Sequence, residues 1–220
     1  EQKKIYQANA KLAKKIIVNS IATECMLIKK FKIDEDKLKL AYYGFRDPKI
    51  KKTLTKNTIN VGLIARLESV KGTHLFIEAA NILKNKNINF LIGGDGHLEN
   101  YLKKLSKGND KIKFVGNILN PFNFMKDLDI LVVPSIREPL GIVNIEAGLC
   151  KIPVVATNID GIPEVVTNST GILINPTKKI NFTNDKGQPP LPNLVIDPNT
   201  YKLVKPKQLD SEKLSNSILF

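Results

Sequence analysis

The sequence predicts an α/β protein with a doubly wound parallel sheet, and two observations lead to this prediction. From residue 57 to about residue 176, short apolar runs alternate with segments whose apolar residues have helical spacing. Strands that alternate with helices favour a parallel sheet with right-handed crossovers. In addition, the run at residues 130–133 (ILVV) is apolar at every position, which is typical of a strand buried on both faces.

The first 56 residues do not belong to this regular alternation. Residues 1–47 are predicted to form a helix, a strand over residues 14–20, a helix over residues 21–31 and a strand over residues 39–43. Residues 48–56 contain a proline and several lysines, and we interpret them as a linker between two domains.

The alternation itself defines a second unit over residues 57–220. Strands are predicted at residues 59–65, 88–92, 112–115, 130–133, 154–156 and 172–174, and helices at residues 72–85, 97–107, 120–127 and 142–149, with a short helix after Ile162. The proline-rich stretch at residues 175–209 predicts an irregular insertion, with a hairpin around residues 185–187. Asp210 and Ser211 then cap a last helix.

Composition narrows the function. The net charge of +13 suggests attraction to nucleic acid or to an anionic membrane surface. Only three of the 34 basic residues are arginines, and aromatic residues do not interleave the lysines as stacking platforms would, so nucleic acid is disfavoured. No apolar run approaches the ~20 residues of a membrane span. The two cysteines are too few and too far apart for a disulfide framework or a zinc site, which favours a cytoplasmic location.

The chemistry is predicted to concentrate at residues 134–146 (PSIREPLGIVNIE), where a buried strand ends and a helix begins. Glu138 and Glu146 flank the turn that contains Gly141. Ligands of open α/β sheets bind outside the carboxyl ends of the strands, where the free N–H groups of a helix N-terminus can hold phosphate. A glutamate one turn into such a helix can accept hydrogen bonds from a sugar diol.

These residues carry a resemblance. The frame P-S-x-x-E-P-x-G-x-x-x-x-E-A at residues 134–147 resembles the paired-glutamate motif of the retaining GT-B glycosyltransferases of family 4. Other family-like segments occur in the same order, at residues 65–67 (ARL), 71–72 (KG), 153–156 (PVVA) and 161–165 (GIPEV). The resemblance implies that residues 57–220 form the Rossmann-like donor domain of a GT-B fold. It also implies that residues 1–47 are the end of the acceptor-binding domain, in a chain truncated at both ends.

The resemblance also implies roles for individual residues. Glu138 would be the catalytic group at the sugar hydroxyls, Arg66, Lys71, Gly141 and Ile142 would bind the donor diphosphate, Glu146 the ribose and Val115 the base. Two cations and a helix N-terminus can stabilise a leaving diphosphate, so neither a metal nor a cofactor is expected. The alternatives for the two cations are an Arg66 paired to Glu68 and a solvated Lys71.

The predicted function is therefore transfer of a sugar from a nucleotide-diphosphate donor to a glycan, lipid-linked or lipopolysaccharide-type acceptor, with retention of configuration. Peripheral contact with the inner membrane face stays open, and this chain alone is expected to be inactive. Two other functions remain as alternatives. One is a nucleotide-sugar epimerase or a non-catalytic sugar-nucleotide-binding module, and the other is a basic nucleic-acid-binding domain.

Lys151 departs from the pattern that the resemblance leads us to expect. The family usually has glycine at this position, directly after the helix that carries Glu146, where a left-handed backbone conformation ends the helix. A lysine in that conformation would cost about 1 kcal/mol, or the helix ends differently.

Overall fold

The computed structural model describes residues 2–50, 58–181 and 190–219. Its N-terminal segment consists of helix α1 (Gln2–Leu12), strand β1 (Ile16–Val18), helix α2 (Ile21–Lys29) and strand β2 (Leu38–Leu40). The two strands pair in parallel, and side chains from both helices and both strands form one apolar cluster. This segment therefore has a small core of its own.

A six-stranded sheet forms the centre of the rest of the chain. Its strands are β3 (Ile59–Ile64), β4 (Ile88–Gly93), β5 (Ile112–Gly116), β6 (Ile130–Val133), β7 (Val154–Thr157) and β8 (Gly171–Ile174). They lie in the order β5-β4-β3-β6-β7-β8, and every neighbouring pair is parallel. The chain thus builds outward from β3 to one edge, returns to the middle at β6, and builds outward to the other edge.

Helices cover both faces of this sheet. The helices are α3 (Thr73–Ile82), α4 (Glu99–Leu105), α5 (Pro121–Met125), α6 (Ile142–Leu149) and α7 (Ser211–Leu219). Side chains of α3, α4 and α7 share one apolar cluster, whereas those of α5 and α6 belong to the cluster on the opposite face. The sheet is therefore doubly wound, and the predicted fold class is confirmed.

The two-residue repeat of a strand explains why both faces are buried. In β6, Leu131 and Val133 point into the cluster of α5 and α6, while Val132 points into the cluster of α3. The same alternation holds in β7, where Val154 and Val155 face opposite clusters. Successive side chains of a strand point to opposite faces, so a strand between two helical layers has to be apolar at every position.

The predicted irregular insertion contains ordered structure that the sequence pattern did not predict. Strand β9 (Val195–Ile196) pairs antiparallel with β10 (Leu203–Val204). Ile196 is fully buried and belongs to the apolar cluster of the N-terminal segment, whereas Val195 belongs to a cluster of the large sheet. β9 therefore joins the two cores. The hairpin predicted around residues 185–187, and most of the linker predicted at residues 48–56, lie outside the described residues.

No helix in the described ranges combines the length and apolarity that a membrane crossing requires. The predicted domain boundaries stay predictions, although the separate sheets and cores of the N-terminal segment and of the remaining chain are compatible with them.

Lys151 adopts the left-handed conformation at the end of α6, and the helix does not end differently. Lys151 has a φ angle of 58°, in the left-handed region. The N–H of Ile152 donates to the carbonyl of Ala147 at 2.9 Å, and the N–H of Lys151 donates to the carbonyl of Gly148 at 3.0 Å. These two bonds form a Schellman motif, whose left-handed residue is most often glycine. The lysine therefore adopts the conformation that costs a residue with a Cβ atom the most.

We expect Lys151→Gly to raise the free energy of unfolding by about 1 kcal/mol, because glycine adopts a positive φ without steric strain. In a chain of this size, the midpoint of thermal unfolding should rise by about 2–4 °C. Lys151→Ala is the matched control, since it removes the charge and keeps the Cβ atom. Equal stability of the glycine and alanine variants in urea titrations would show that the backbone at this position is not strained.

Candidate functional site

A cavity of about 360 Å³ opens at the carboxyl edge of the sheet, between β3 and β6. The strand order reverses at this point, and ligands of open α/β sheets bind in the crevice that such a reversal creates. Its lining includes five of the predicted site residues, together with one residue of the N-terminal segment: Arg66, Lys71, Glu138, Gly141, Ile142 and Asn19. The fold therefore assembles residues that are separated by more than 100 positions in the sequence.

Lys71 and Glu138 form an ion pair in the wall of this cavity. The Nζ atom of Lys71 lies 2.6 Å from Oε2 of Glu138, and only 20% and 12% of the two side chains are exposed. The hydroxyl of Ser135 donates to the same oxygen at 3.3 Å. Within the described residues, Oε1 of Glu138 accepts no hydrogen bond. The alternative of a solvated Lys71 is wrong, because the ammonium group is mostly buried against a carboxylate.

Backbone contacts bring the two loops that carry this pair together. Gly72, which begins α3, has a φ angle of 67°, and a Cβ atom at this position would lie 2.0 Å from the carbonyl oxygen of Pro134. The N–H of Ile136 also donates to the carbonyl of Val70 at 2.8 Å. The loop after β3 therefore lies directly against the loop after β6, at a distance that leaves room only for glycine.

Helix α6 presents its N-terminus to the same cavity. Gly141 is the N-cap residue, with a φ angle of 82°, and no side chain caps the helix. A Cβ atom at Gly141 would lie 2.3 Å from Nδ2 of Asn144, so the turn depends on glycine. Ile142 follows with a side chain that is 40% exposed. The first N–H groups of a helix have no intrahelical partner, and here they are available to an anion.

Arg66 stands apart from the Lys71–Glu138 pair. Its guanidinium lies 2.9 Å from Oε1 of Glu68, and 73% of its side chain is exposed. The pairing with Glu68 that was open at the level of sequence is therefore present. Only 13% of the Glu68 side chain is exposed, so this carboxylate is mostly buried, whereas the guanidinium of Arg66 faces solvent and can be reached by a ligand anion.

The structure does not place Glu146 or Val115 in the lining of this cavity. Glu146 lies one turn further along α6, half-buried, and the described residues provide no hydrogen-bond partner for its carboxylate. Burial raises the pKa of Glu146 above its usual value. Val115 is 50% exposed near the end of β5, where the N–H of Gly94 donates to the carbonyl of Gly116 at 2.7 Å. Both residues lie on elements at the same sheet edge.

Asp160 is a site residue that the sequence reasoning missed. Its buried carboxylate accepts hydrogen bonds from the N–H of Glu138 at 3.0 Å and from the N–H of Ile196 at 2.7 Å. Burial raises the pKa of Asp160, while these backbone N–H groups and Arg137 oppose the shift. Asp160 thus fixes the backbone of Glu138. The available signal was its place, three residues beyond β7 at the carboxyl edge of the sheet.

No three His, Cys, Asp or Glu side chains in residues 2–50, 58–181 and 190–219 are grouped so that they could hold a metal ion. The expectation of a site without metal or cofactor stays a prediction. The cationic side chains in the cavity wall are Arg66 and Lys71.

The fold and the site define a class of protein: an α/β protein with a doubly wound sheet and, where the strand order reverses, a crevice lined by two cationic side chains and a helix N-terminus. Residues 45–185 match the model of the family described as glycosyl transferases group 1, and the chain belongs to this family. It is 29% identical over 152 residues to the capsular polysaccharide biosynthesis glycosyltransferase CapM of Staphylococcus aureus, an alignment that covers 66% of this chain and 38% of CapM.

A second sequence relative and one solved structure match a similar share of the chain. The D-inositol 3-phosphate glycosyltransferase of Paenarthrobacter aurescens is 24% identical over 186 residues, which cover 74% of this chain and 45% of that protein. The crystal structure of HepE from Anabaena, solved with UDP and glucose, has a TM-score of 0.69 and 26% identity over 80% of this chain and 54% of HepE. The chain thus spans 38–45% of the length of the two curated relatives.

Asp160→Asn should lower the free energy of unfolding by about 1–3 kcal/mol, because an amide offers one acceptor oxygen where two backbone N–H groups need acceptors. Asparagine tolerates a positive φ as well as aspartate does, so the φ angle of 44° adds no penalty. The exposed Asp110→Asn is the control and should change stability by less than ~0.5 kcal/mol. Coincident urea denaturation curves for Asp160→Asn and wild type would contradict the assigned hydrogen bonds.

Proposed function

We propose that this chain binds a nucleoside-diphosphate sugar in the cavity between β3 and β6, and that the whole protein transfers the sugar to an acceptor with retention of configuration, as a family 4 enzyme. The observation that carries the proposal is the mostly buried Lys71–Glu138 pair beside the uncapped N-terminus of α6. A fixed cation, free backbone N–H groups and a carboxylate match the phosphate and hydroxyl groups of such a donor. The paired-glutamate frame at residues 134–147 supports the assignment to a retaining enzyme.

The diphosphate would be held by Arg66, Lys71 and the N–H groups at Gly141 and Ile142. Cleavage of the bond between sugar and phosphate builds negative charge on the leaving diphosphate, and preorganised cations and backbone dipoles aimed at that charge stabilise the transition state. Arg66 is the exposed member of this set, since 73% of its side chain is accessible, and a phosphate can therefore approach its guanidinium from the solvent side. No metal and no cofactor take part in this proposal.

Glu138 would bind the sugar and act as the catalytic group. Its Oε2 atom is engaged by Lys71 and Ser135, which leaves Oε1 free to accept a hydrogen bond from a ring hydroxyl. Lys71 would then lie between the carboxylate of Glu138, which binds the sugar, and the diphosphate, which is the leaving group. Asp160 keeps the backbone of Glu138 in place while that bond breaks.

The nucleoside would extend from the diphosphate along the sheet edge. Glu146 is the proposed ribose ligand, because its half-buried carboxylate lies one turn behind the Gly141 turn and has no hydrogen-bond partner among the described residues. The backbone beside Val115 is the proposed base contact, because this segment ends the edge strand β5 and is exposed. Both assignments extend the site beyond the cavity wall.

The proposed partners are a nucleotide-sugar donor and a glycan or lipid-linked acceptor, in the cytoplasm and at the inner membrane face, without nucleic acid. Two relatives of known structure support the donor class. HepE was solved with UDP-glucose, and a TarM variant of S. aureus was solved with UDP and alpha-GlcNAc-glycerol, at 26% identity and a TM-score of 0.64 over 76% of this chain and 35% of TarM. We assign residues 1–47 to the acceptor side and residues 57–220 to the donor side.

Arg66→Ala should weaken the binding of a nucleoside diphosphate by about 10- to 150-fold, because a charge-assisted hydrogen bond contributes about 1.5–3 kcal/mol. Isothermal calorimetry of the wild type with UDP, GDP and ADP first identifies the diphosphate that binds most tightly. The affinities of the variants are then measured with that diphosphate. Arg46→Ala is a matched control, since Arg46 is exposed and does not line the cavity. If Arg66→Ala binds with wild-type affinity, Arg66 does not bind the diphosphate. If the wild type binds none of the three diphosphates, the proposed function is contradicted.

Glu146→Gln should weaken binding of the ribonucleotide by about 10-fold or more and binding of the 2′-deoxy analogue by less, because the analogue keeps only one of the two ribose hydroxyls. Acidification supplies a second readout. Burial raises the pKa of Glu146, so the carboxylate takes up a proton at a higher pH than an exposed glutamate and then loses acceptor strength. Wild-type affinity should therefore fall further than that of Glu146→Gln between about pH 7.5 and about pH 5. Equal losses for both ligands, or parallel pH profiles, would refute the ribose role.

A further inference from the structure

The turn at residues 160–164, which follows β7, carries two carboxylates that point to different parts of the molecule. Asp160 begins this 160–164 turn and holds the N–H of Glu138, as described above. Glu164 ends it and reaches the N-terminal segment. Glu164 lies outside the lining of the donor cavity, and neither the resemblance nor the proposed donor site gives it a role.

Glu164 makes three hydrogen bonds to the N-terminal segment. Its two oxygens accept from the N–H groups of Ile21 at 2.8 Å and Ala22 at 2.9 Å, and Oε2 also accepts from the hydroxyl of Tyr42 at 2.7 Å. Partial desolvation of the tyrosine hydroxyl and its hydrogen bond to Glu164 raise the pKa of Tyr42, a residue that is 48% exposed, to about 12. A carboxylate at a helix N-terminus is favoured both by the charge-assisted bonds and by the helix dipole.

Helix α2, which begins at Ile21, also has an N-cap residue of its own. The hydroxyl of Ser20 accepts from the N–H of Thr23 at 2.9 Å, as an N-cap residue usually does. Glu164 satisfies the two preceding donors of α2 from more than 140 positions away in the sequence. The start of α2 is therefore completed by the residue that ends the 160–164 turn, and the N-terminal segment is aligned with the donor sheet at this point.

The 160–164 turn has little freedom to flex between its two ends. A Cβ atom at Gly161 would lie 2.0 Å from the carbonyl oxygen of Pro139, and the N–H of Gly161 donates to the carbonyl of Glu138 at 3.2 Å. Ile162 is fully buried in the apolar cluster of α6. Close-packed interiors transmit displacement, so a shift of Glu164 is expected to move the backbone at Glu138.

The aligned segment also contributes to the cavity. Asn19 lies two residues before the first helical residue of α2, and its side chain lines the donor cavity. The Nδ2 atom of Asn19 donates to the hydroxyl of Tyr43, the neighbour of Tyr42, at 3.3 Å. Glu164 therefore binds the helix that follows Asn19 and the neighbour of the tyrosine to which Asn19 donates.

We propose that Glu164 is a positioning residue that couples the docking of the N-terminal segment to the geometry of the donor cavity. It acts through Asn19 on one side and through the 160–164 turn and Glu138 on the other, and it touches no donor atom. The inference rests on the proposed function for its effect on donor binding. The coupling between the two ends of the turn is a property of the chain alone.

The test uses Glu164→Gln in the 220-residue chain, with ¹⁵N-resolved NMR and amide hydrogen exchange. The amide keeps the size of the side chain and removes one acceptor and the charge, so the Ile21 and Ala22 amides should exchange about tenfold faster or more. The decisive readout is the backbone amide resonance of Glu138, which should shift together with the side-chain amide of Asn19. The matched control is Glu212→Gln, an exposed carboxylate on α7, which should move none of these signals.

A second variant, Tyr42→Phe, is a milder change that keeps the proposal testable if Glu164→Gln does not fold. It leaves the carboxylate on α2, removes one hydrogen bond, and should shift the same resonances by a smaller amount. Faster exchange at Ile21 and Ala22 with an unmoved Glu138 amide, in whichever of the two variants folds, would reduce Glu164 to a local helix cap and overturn the coupling. Thermal unfolding curves establish which variants are folded.

Calorimetry with UDP and UDP-glucose separates this proposal from the proposed function. If Glu164 positions Glu138, the variant should lose several-fold more affinity for UDP-glucose than for UDP, since the proposed contact of Glu138 is with the sugar. A purely structural role would lower both affinities equally, and this outcome would overturn the positioning role. A wild type that binds neither these two ligands nor GDP and ADP would contradict the donor site, and the resonance of Glu138 would still decide the coupling.

Discussion

The site depends on one strand pairing, between β3 and β6 in the middle of the sheet. The register joins Val61 to Ile130 and Gly62 to Leu131, which pairs the middle of β3 with the beginning of β6. A Cβ atom at Gly62 would lie 2.4 Å from Leu128, so glycine is what allows the approach to β6 to pack over β3. Beyond this pairing, β3 leads into α3 on one face and β6 leads into α6 on the other. The crevice between the departing loops is therefore a direct result of the pairing.

Backbone contacts then determine what the crevice can hold. Gly72 lies against Pro134 and Gly161 lies against Pro139, so three loops meet without intervening side chains. This close approach places Lys71 and Glu138 in a pocket where both are mostly buried. Such a pair contributes little net stability, because desolvation offsets the attraction, but the loss of one partner would leave a buried charge unpaired. The pair is better explained by ligand binding than by stability.

Local patterns predicted most of the fold and part of the site. The apolar runs gave β6 and α6 their observed bounds. The resemblance to the glycosyltransferase family implied that Lys71 and Glu138 belong to one donor site. Asp160 and Glu164 were not assigned, because a position after a strand does not reveal which distant backbone N–H groups a carboxylate will bind. β9 was missed because two residues in a proline-rich stretch cannot show a period. Glu146 and Val115 lie outside the cavity lining, which spacing alone could not reveal.

The helix N-termini provide an independent argument for an anion in the crevice. Helices α2 and α5 start with Ser20 and Asn120, whose side chains accept from first-turn N–H groups. Helices α3 and α6, on either side of the cavity, start instead with glycines in left-handed conformations and have no side-chain cap. A glycine N-cap leaves the first-turn N–H groups without a side-chain acceptor, at a cost of only about a few tenths of a kcal/mol relative to a capping side chain. At α6, whose Gly141 and Ile142 line the cavity, the uncapped N–H groups are available to a negatively charged ligand, and a diphosphate would accept their hydrogen bonds.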